Sequence, residues 1–254
     1  MLSPEWLSAF APVGTLRGTG AWVAHGAGVF FHKPPLVWLV TANHVVDHIG
    51  PEFVSVLVTQ SDGGNVIVVP VGQTVVQQGL AWIRDPTNDL AAVPMPIAPE
   101  FGIKAIAEQY CIRLEDLIPS MPCFTVGCPY GLHGLDPTRA SPLVLDGVIA
   151  GVDPRSRRIF TSAPTFPGNS GGPLIAVRSP FTADGTMHVG RATVLLAGVM
   201  LQSLLVPSPT SGADTPSLHL GIAAPTDAVI ELLGSGPAQA LVERLCPPSS
   251  ASAT

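Results

Sequence analysis

Short β-branched and aliphatic runs, separated by turn residues, recur along the whole chain. They read "GAGVFF", "LVWLVTA", "FVSVLV", "NVIVVPV", "LAAVPM", "CFTVG", "LVLDGVIAGV", "RRIFTSA", "GPLIAV", "TVLLAGVML" and "LHLGIAA". Many short runs without interleaved long helical patterns predict an all-β chain, built as a barrel or sandwich. A helical period appears only near the end. After Pro225, Thr226 offers an N-cap to "TDAVIELL", with Val229, Leu232 and Leu233 on one face, and "PAQALVERLC" begins a further helical stretch at Pro237. Residues 226–246 are therefore expected to be helical, and the tail 247–254, "PPSSASAT", disordered. Between Pro94 and Pro122 the strand rhythm breaks, with a short helix predicted at Ile103 to Tyr110. This stretch reads as the connection between two β lobes, residues 1–112 and 113–225.

At 254 residues the chain has ample core for one large domain or two small lobes. Charged residues are only 12%, Gly and Pro number 26 and 27, and mean hydropathy is +0.41, which together imply a turn-rich, well-buried chain. The apolar stretch Thr193–Val206 holds 14 residues, too short to span a bilayer, so no membrane partner is expected. The N-terminus carries Glu5 and neither a basic nor a continuous apolar leader region, which points to a cytoplasmic protein. Cys111, Cys123, Cys128 and Cys246 form no C-x-x-C pattern, and Cys123 and Cys128 are expected on opposite faces of a strand. Net charge is −6, and the densest basic cluster, "PRSRR" (Arg155, Arg157, Arg158), reads as a solvated hairpin turn; no nucleic-acid partner is expected.

The stretch "FPGNSGGPLI" sets one hydroxyl, Ser170, among glycines and prolines. Glycines crowded around a reactive side chain let the backbone aim N–H groups at an anion; the alternative is a tight turn before a strand. A serine nucleophile needs a base and an acid that orients the base. His44 stands where "LVWLVTANHVV" leaves an apolar strand. His48 shares a helical face with it, but Val45 occupies the place of the zinc-protease Glu, so no metal and no cofactor is expected. His25, His32, His133, His188 and His219 lack partners in the pattern. Of the acids in "IRDPTNDLAAVPM", Asp89 opens an apolar run and is expected to bury its carboxylate beside an imidazole, while Asp85, before Pro86, suits a turn.

"TANHVV", "NDLAAV" and "GNSGGPLI" resemble the triad motifs of trypsin-like serine proteases, in the same His, Asp, Ser order, with intervals of 45 and 81 residues. "GTGAWV", "VGCPYG", "TSAPTFPGNSGGP" and "GIAAPTDAV" look closer to the HtrA/Deg branch and to stand-alone bacterial trypsin-like peptidases. The resemblance covers roughly residues 13 to 235 and implies two antiparallel six-stranded β-barrels with the site between them, followed by a short C-terminal helix. It implies Ser170 as nucleophile, His44 as general base and then acid, Asp89 as orienting carboxylate, and the N–H groups of Gly168 and Ser170 as oxyanion hole. A protein or peptide would be the substrate.

Asn169 stands where secreted zymogens of that family carry Asp, so no activation by N-terminal cleavage is expected. No PDZ module is expected after the protease lobes. The specificity floor falls at Pro164, Thr165 and Phe166, none charged, with walls from Met200, Leu201, Gln202 and Ser203, which implies cleavage after small or medium apolar residues. A protease of the cytoplasm needs restraint, so a misformed resting oxyanion hole, corrected by a partner protein or by substrate, is a further expectation. The rival readings are a catalytically silent pseudoprotease and an esterase. "GNSGG" formally matches G-x-S-x-G, but the chain lacks interleaved helices and His44 precedes the serine.

Overall fold

The first hydrophobic run that follows a proline-capped turn already pairs back on its neighbour. In the computed structural model, which describes residues 2–18, 20–131, 142–178, 192–205 and 217–247, helix α1 (Pro4–Leu7) leads into β1 (Phe10–Leu16), β2 (Trp22–Lys33) and β3 (Leu36–Ala42). Helix α2 (Asn43–Ile49), β4 (Ser55–Thr59), β5 (Val66–Val69), α3 (Val71–Gln77), β6 (Ile83–Asp85), β7 (Leu90–Pro94) and β8 (Ile106–Ala107) follow. These strands form one eight-stranded sheet in the order β5-β4-β1-β2-β3-β7-β6, with β8 added parallel to β2. The first lobe thus has eight strands where six were expected, and among the described residues no ladder joins β5 to β6 to close it. Both are short, and the chain between them turns into α3, which sinks Val71 and Val75 into the core instead of lengthening either strand.

The second lobe is a closed six-stranded antiparallel barrel. Strands β9 (Pro122–Gly127), β10 (Leu143–Asp153), β11 (Arg158–Thr161), β12 (Pro173–Arg178), β13 (Thr193–Leu205) and β14 (Ser217–Pro225) run in the order β10-β11-β14-β13-β12-β9. Closure leaves no edge along most of its circumference. Between the lobes, the predicted helix at 103–110 does not form. Ile106 and Ala107 extend instead and pair with Phe31 and His32, and only Glu108–Tyr110 makes a 3-10 turn, because the open flank of β2 offers the backbone a ladder.

The chain ends in two helices rather than one, α4 (Thr226–Gly234) and α5 (Gly236–Leu245). Ser235 separates them, its hydroxyl donating to the Leu232 carbonyl at 2.7 Å, and Pro237 opens the second. Val229, Leu232 and Leu233 of α4 share a buried cluster with Trp38, Leu39 and Val93 of the first lobe. Each such side chain removed from water is worth about 1.5–3 kcal/mol before entropy is counted, so α4 stabilises a lobe distant from it in sequence. Cys123 and Cys128 are both buried, in different clusters, and all four cysteines are free. Residues 248–254 of the expected disordered tail, and His133 and His188, lie outside the described residues.

"PRSRR" does turn between β10 and β11, but its arginines are engaged rather than merely solvated. Arg157 grips Glu231 of α4 with two hydrogen bonds of 2.7 and 2.8 Å, and Arg158 reaches across the cleft to the Thr87 carbonyl at 2.8 Å. No helix among the described residues is long and apolar enough to cross a membrane.

Candidate active site

Asn43 starts α2 directly after β3, and Arg84 holds that start by donating to the Asn43 side chain at 2.6 Å and pairing with Asp47. His44 is therefore the first residue of α2 with a side chain free to turn toward the β6–β7 loop. Asp89 ends that loop at φ 56, a left-handed conformation that Asp tolerates better than most residues. Its carbonyl accepts the Asn43 N–H at 2.9 Å.

The Asp89 carboxylate receives two donors from His44: the backbone N–H at 3.0 Å and the ring Nδ1 at 2.7 Å. An ionised carboxylate only accepts, so Nδ1 carries a proton in this contact, and in the neutral ring that is the tautomer a general base requires. The side chains are 47% and 31% exposed for His44 and Asp89, so the expected burial of the carboxylate is only partial. The reason is that Asp89 sits on the loop before β7, not inside its apolar run. Asp85 closes the preceding turn, accepting from the Asn88 backbone at 3.1 Å and side chain at 2.6 Å.

Ser170 lies between the lobes. Its main-chain carbonyl accepts from Ala27 of β2 at 2.7 Å, and its hydroxyl donates to the Leu201 carbonyl at 2.6 Å rather than to His44. A register shift between Met200 and Gln202, where β13 pairs with β14, takes Leu201 out of the ladder and frees its carbonyl. The structure thus joins His44 to Asp89 and leaves the third link open.

The glycines around Ser170 are steric necessities at two positions. Gly168, at φ 100, would drive a Cβ into the Cys128 carbonyl, and Gly171, at φ 88, into the Ala27 carbonyl and the Thr41 hydroxyl. Tyr130 donates its N–H to the Pro167 carbonyl at 2.7 Å. In a trans peptide the N–H points opposite to the C=O, so Gly168 N–H is directed away from Tyr130. Neither Gly168 N–H nor Ser170 N–H has an acceptor among the described residues. Tyr130 thereby fixes the orientation of the Pro167–Gly168 peptide.

Asn169 between them is fully buried against Gly127, and neither its amide oxygen nor its nitrogen finds a partner among the described residues. Of the expected pocket residues, Pro164 and Thr165 are half-buried and Phe166 is exposed. Ser203 donates to the Thr165 carbonyl at 2.7 Å, fixing that segment to β13. Met200 and Leu201 do not form side-chain walls: Met200 packs into the core of the second lobe and Leu201 into that of the first. Gln202 is exposed and Ser203 half-buried.

His25, without a partner in the sequence pattern, meets His48, their ring centroids 5.2 Å apart. No group of three or more His, Cys, Asp or Glu that could hold a metal occurs among the described residues.

The profile of the trypsin-like peptidase domain matches residues 18–179, spanning the His44, Asp89 and Ser170 motifs. The chain belongs to the trypsin-like peptidase family. A solved structure titled "HtrA-type protease AlgW with tripeptide" aligns at 20% identity with a TM-score of 0.55, over 95% of this chain and 62% of its own. This chain thus spans less than two thirds of that one, and the likeness supports the shared double-barrel fold. No curated protein matches.

Proposed function

We propose that this trypsin-like protease is a serine endopeptidase in which Ser170 attacks the scissile carbonyl, with His44 as its base and Asp89 holding the base. The observation that carries this reading is the double hydrogen bond from His44 to Asp89, which engages Nδ1 and leaves Nε2 to face the substrate. On substrate binding the Ser170 hydroxyl rotates from Leu201 to His44, attacks, and forms an acyl-enzyme. Nε2 takes the hydroxyl proton and returns it to the departing amine. The N–H groups of Gly168 and Ser170, without an acceptor among the described residues, are the donors for the oxyanion, and each such donor is typically worth about 10²–10³ in rate.

Past Val199, β12 no longer pairs with β13, so the backbone of Leu201 to Ser203 is open to an added substrate strand. The uncharged floor of Pro164, Thr165 and Phe166 favours a small or medium apolar residue before the cut. Asn169, a neutral amide, needs no new N-terminus to balance it, which supports activity without N-terminal cleavage. The four free thiols fit a reducing compartment such as the cytoplasm.

A fluorophosphonate probe followed by intact mass tests the mechanism. One adduct is expected, lost in both Ser170→Ala and His44→Ala. The Ser170–Leu201 hydrogen bond supports a second reading, a silent pseudoprotease or an enzyme that waits for a partner protein. Absence of any adduct on the folded chain would favour that reading.

A further inference from the structure

Two histidines outside the catalytic set face one another beside it. His25 lies on β2 next to Gly26, where a Cβ would come within 2.9 Å of the Ser170 carbonyl. His48 lies one helical turn beyond His44 on α2. Their rings are tilted by 58° at a centroid separation of 5.2 Å. Arg17, just past β1, adds positive charge. Burial first, then His48 and Arg17, hold the pKa of His25 below its ordinary value of 6.5. The acids that share these elements are engaged elsewhere, Asp47 with Arg84 and Asp89 with His44, and neither His25 nor His48 has a carboxylate partner among the described residues. Among the described residues, Arg17 and either ring when protonated thus lack a counter-charge here.

Ser170 divides the cleft in two. Its hydroxyl turns to Leu201 of β13, and its main-chain carbonyl to Ala27 of β2. If the acyl half of a substrate lies along β13, the leaving half departs over β2 and α2, past His25 and His48.

We propose that His25 and His48, with Arg17, form a leaving-side subsite for the carboxylate of an Asp or Glu close behind the scissile bond. This rests on the peptidase reading above for its location. A substrate carboxylate supplies the counter-charge that the cluster lacks and favours the protonated imidazoles. Acidic selection therefore strengthens as pH falls from 8 to 6 and fades as the rings lose their protons.

Two readouts separate this from the peptidase reading. In the full-length Ser170→Ala protein, which needs no catalysis, NMR titration of the imidazoles with millimolar Ala-Asp amide is expected to raise the pKa of both His25 and His48. Ala-Asn amide is expected to leave them in place. In the active protein, the same two amides compete as acceptors for an acyl group delivered from an apolar ester. The Asp acceptor is expected to be favoured roughly two- to fivefold at pH 6, the range of a partly exposed ion pair, and not at pH 8. His25→Ala and His48→Gln are each expected to flatten that pH dependence. Equal imidazole shifts with both amides, no shift with either, or an acceptor ratio independent of pH would overturn the proposal. Failure to turn over the ester would count against the peptidase reading alone, and the imidazole titration would still decide the subsite.

Discussion

The Ser170 hydroxyl donates to the Leu201 carbonyl at 2.6 Å, while His44 remains bound to Asp89. In the proposed mechanism this hydroxyl turns from Leu201 to His44, and side-chain rotations of this kind take picoseconds to nanoseconds. Stopped-flow reaction with a fluorogenic phosphonate is therefore expected to follow a single exponential from the first milliseconds. A lag of seconds would show that a slower rearrangement, and not this rotation, completes the site.

Asp89→Asn keeps a residue tolerant of φ 56 but replaces the acceptor oxygen that holds Nδ1–H. The imidazole then loses its enforced tautomer, and ester turnover is expected to fall about 10³- to 10⁴-fold. Tm should stay within a few degrees of the parent. A drop of less than tenfold would remove Asp89 from the mechanism.

Asn169→Asp places a carboxyl where the neutral amide already lacks protein partners. Burial raises the pKa of such a group, so the folded state resists its ionisation. At pH 4 the folded state keeps the carboxyl protonated and the unfolded state is only about half ionised, so the variant should melt close to the parent. As pH rises through the ordinary carboxylate range toward neutrality, the unfolded state ionises first and the deficit grows, to about 3–5 kcal/mol. Calorimetry at pH 4, 5.5 and 7 measures this, and a deficit independent of pH would show that charge is not its cause.

Burial pushes three thiols far up: Cys111 to about 12, where Glu108 adds to the effect, Cys123 to about 11 and Cys128 to about 12. At pH 8 their thiolate fraction is about one in a thousand or less, whereas Cys246 is exposed. Ellman's reagent should therefore titrate one thiol quickly in the native protein and the remaining three only after denaturant is added. Two fast thiols would contradict the packing around Cys111.

The pairing of His44 with Asp89 was legible because each residue sits at the end of a strand whose hydrophobic pattern is local. The same holds for most strands. β1 was hidden by Pro12 and Gly14 inside its run, and β8 by its length of two residues, since both owe their form to pairing with β2. No sequence signal marks the Leu201 bulge that diverts the Ser170 hydroxyl, because a bulge is a mismatch between two strands. His25 and His48, far apart in sequence, meet only because α2 folds over β2. Met200 and Leu201 were misread as pocket walls because a strand shared by two lobes buries successive residues in opposite cores.

Arg244, near the end of α5, donates to the carbonyls of Gln78 and Gly79 at 2.6 and 2.8 Å, and α4 completes the hydrophobic cluster of the first lobe. During synthesis, the half that carries His44 and Asp89 thus emerges from the ribosome well before the helices that close its core. Domains generally begin to fold in the order they are made, but this one must wait for α4 and α5. Birth order therefore delays completion of the first lobe's core, and of the ground on which His44 and Asp89 stand, until both helices have emerged.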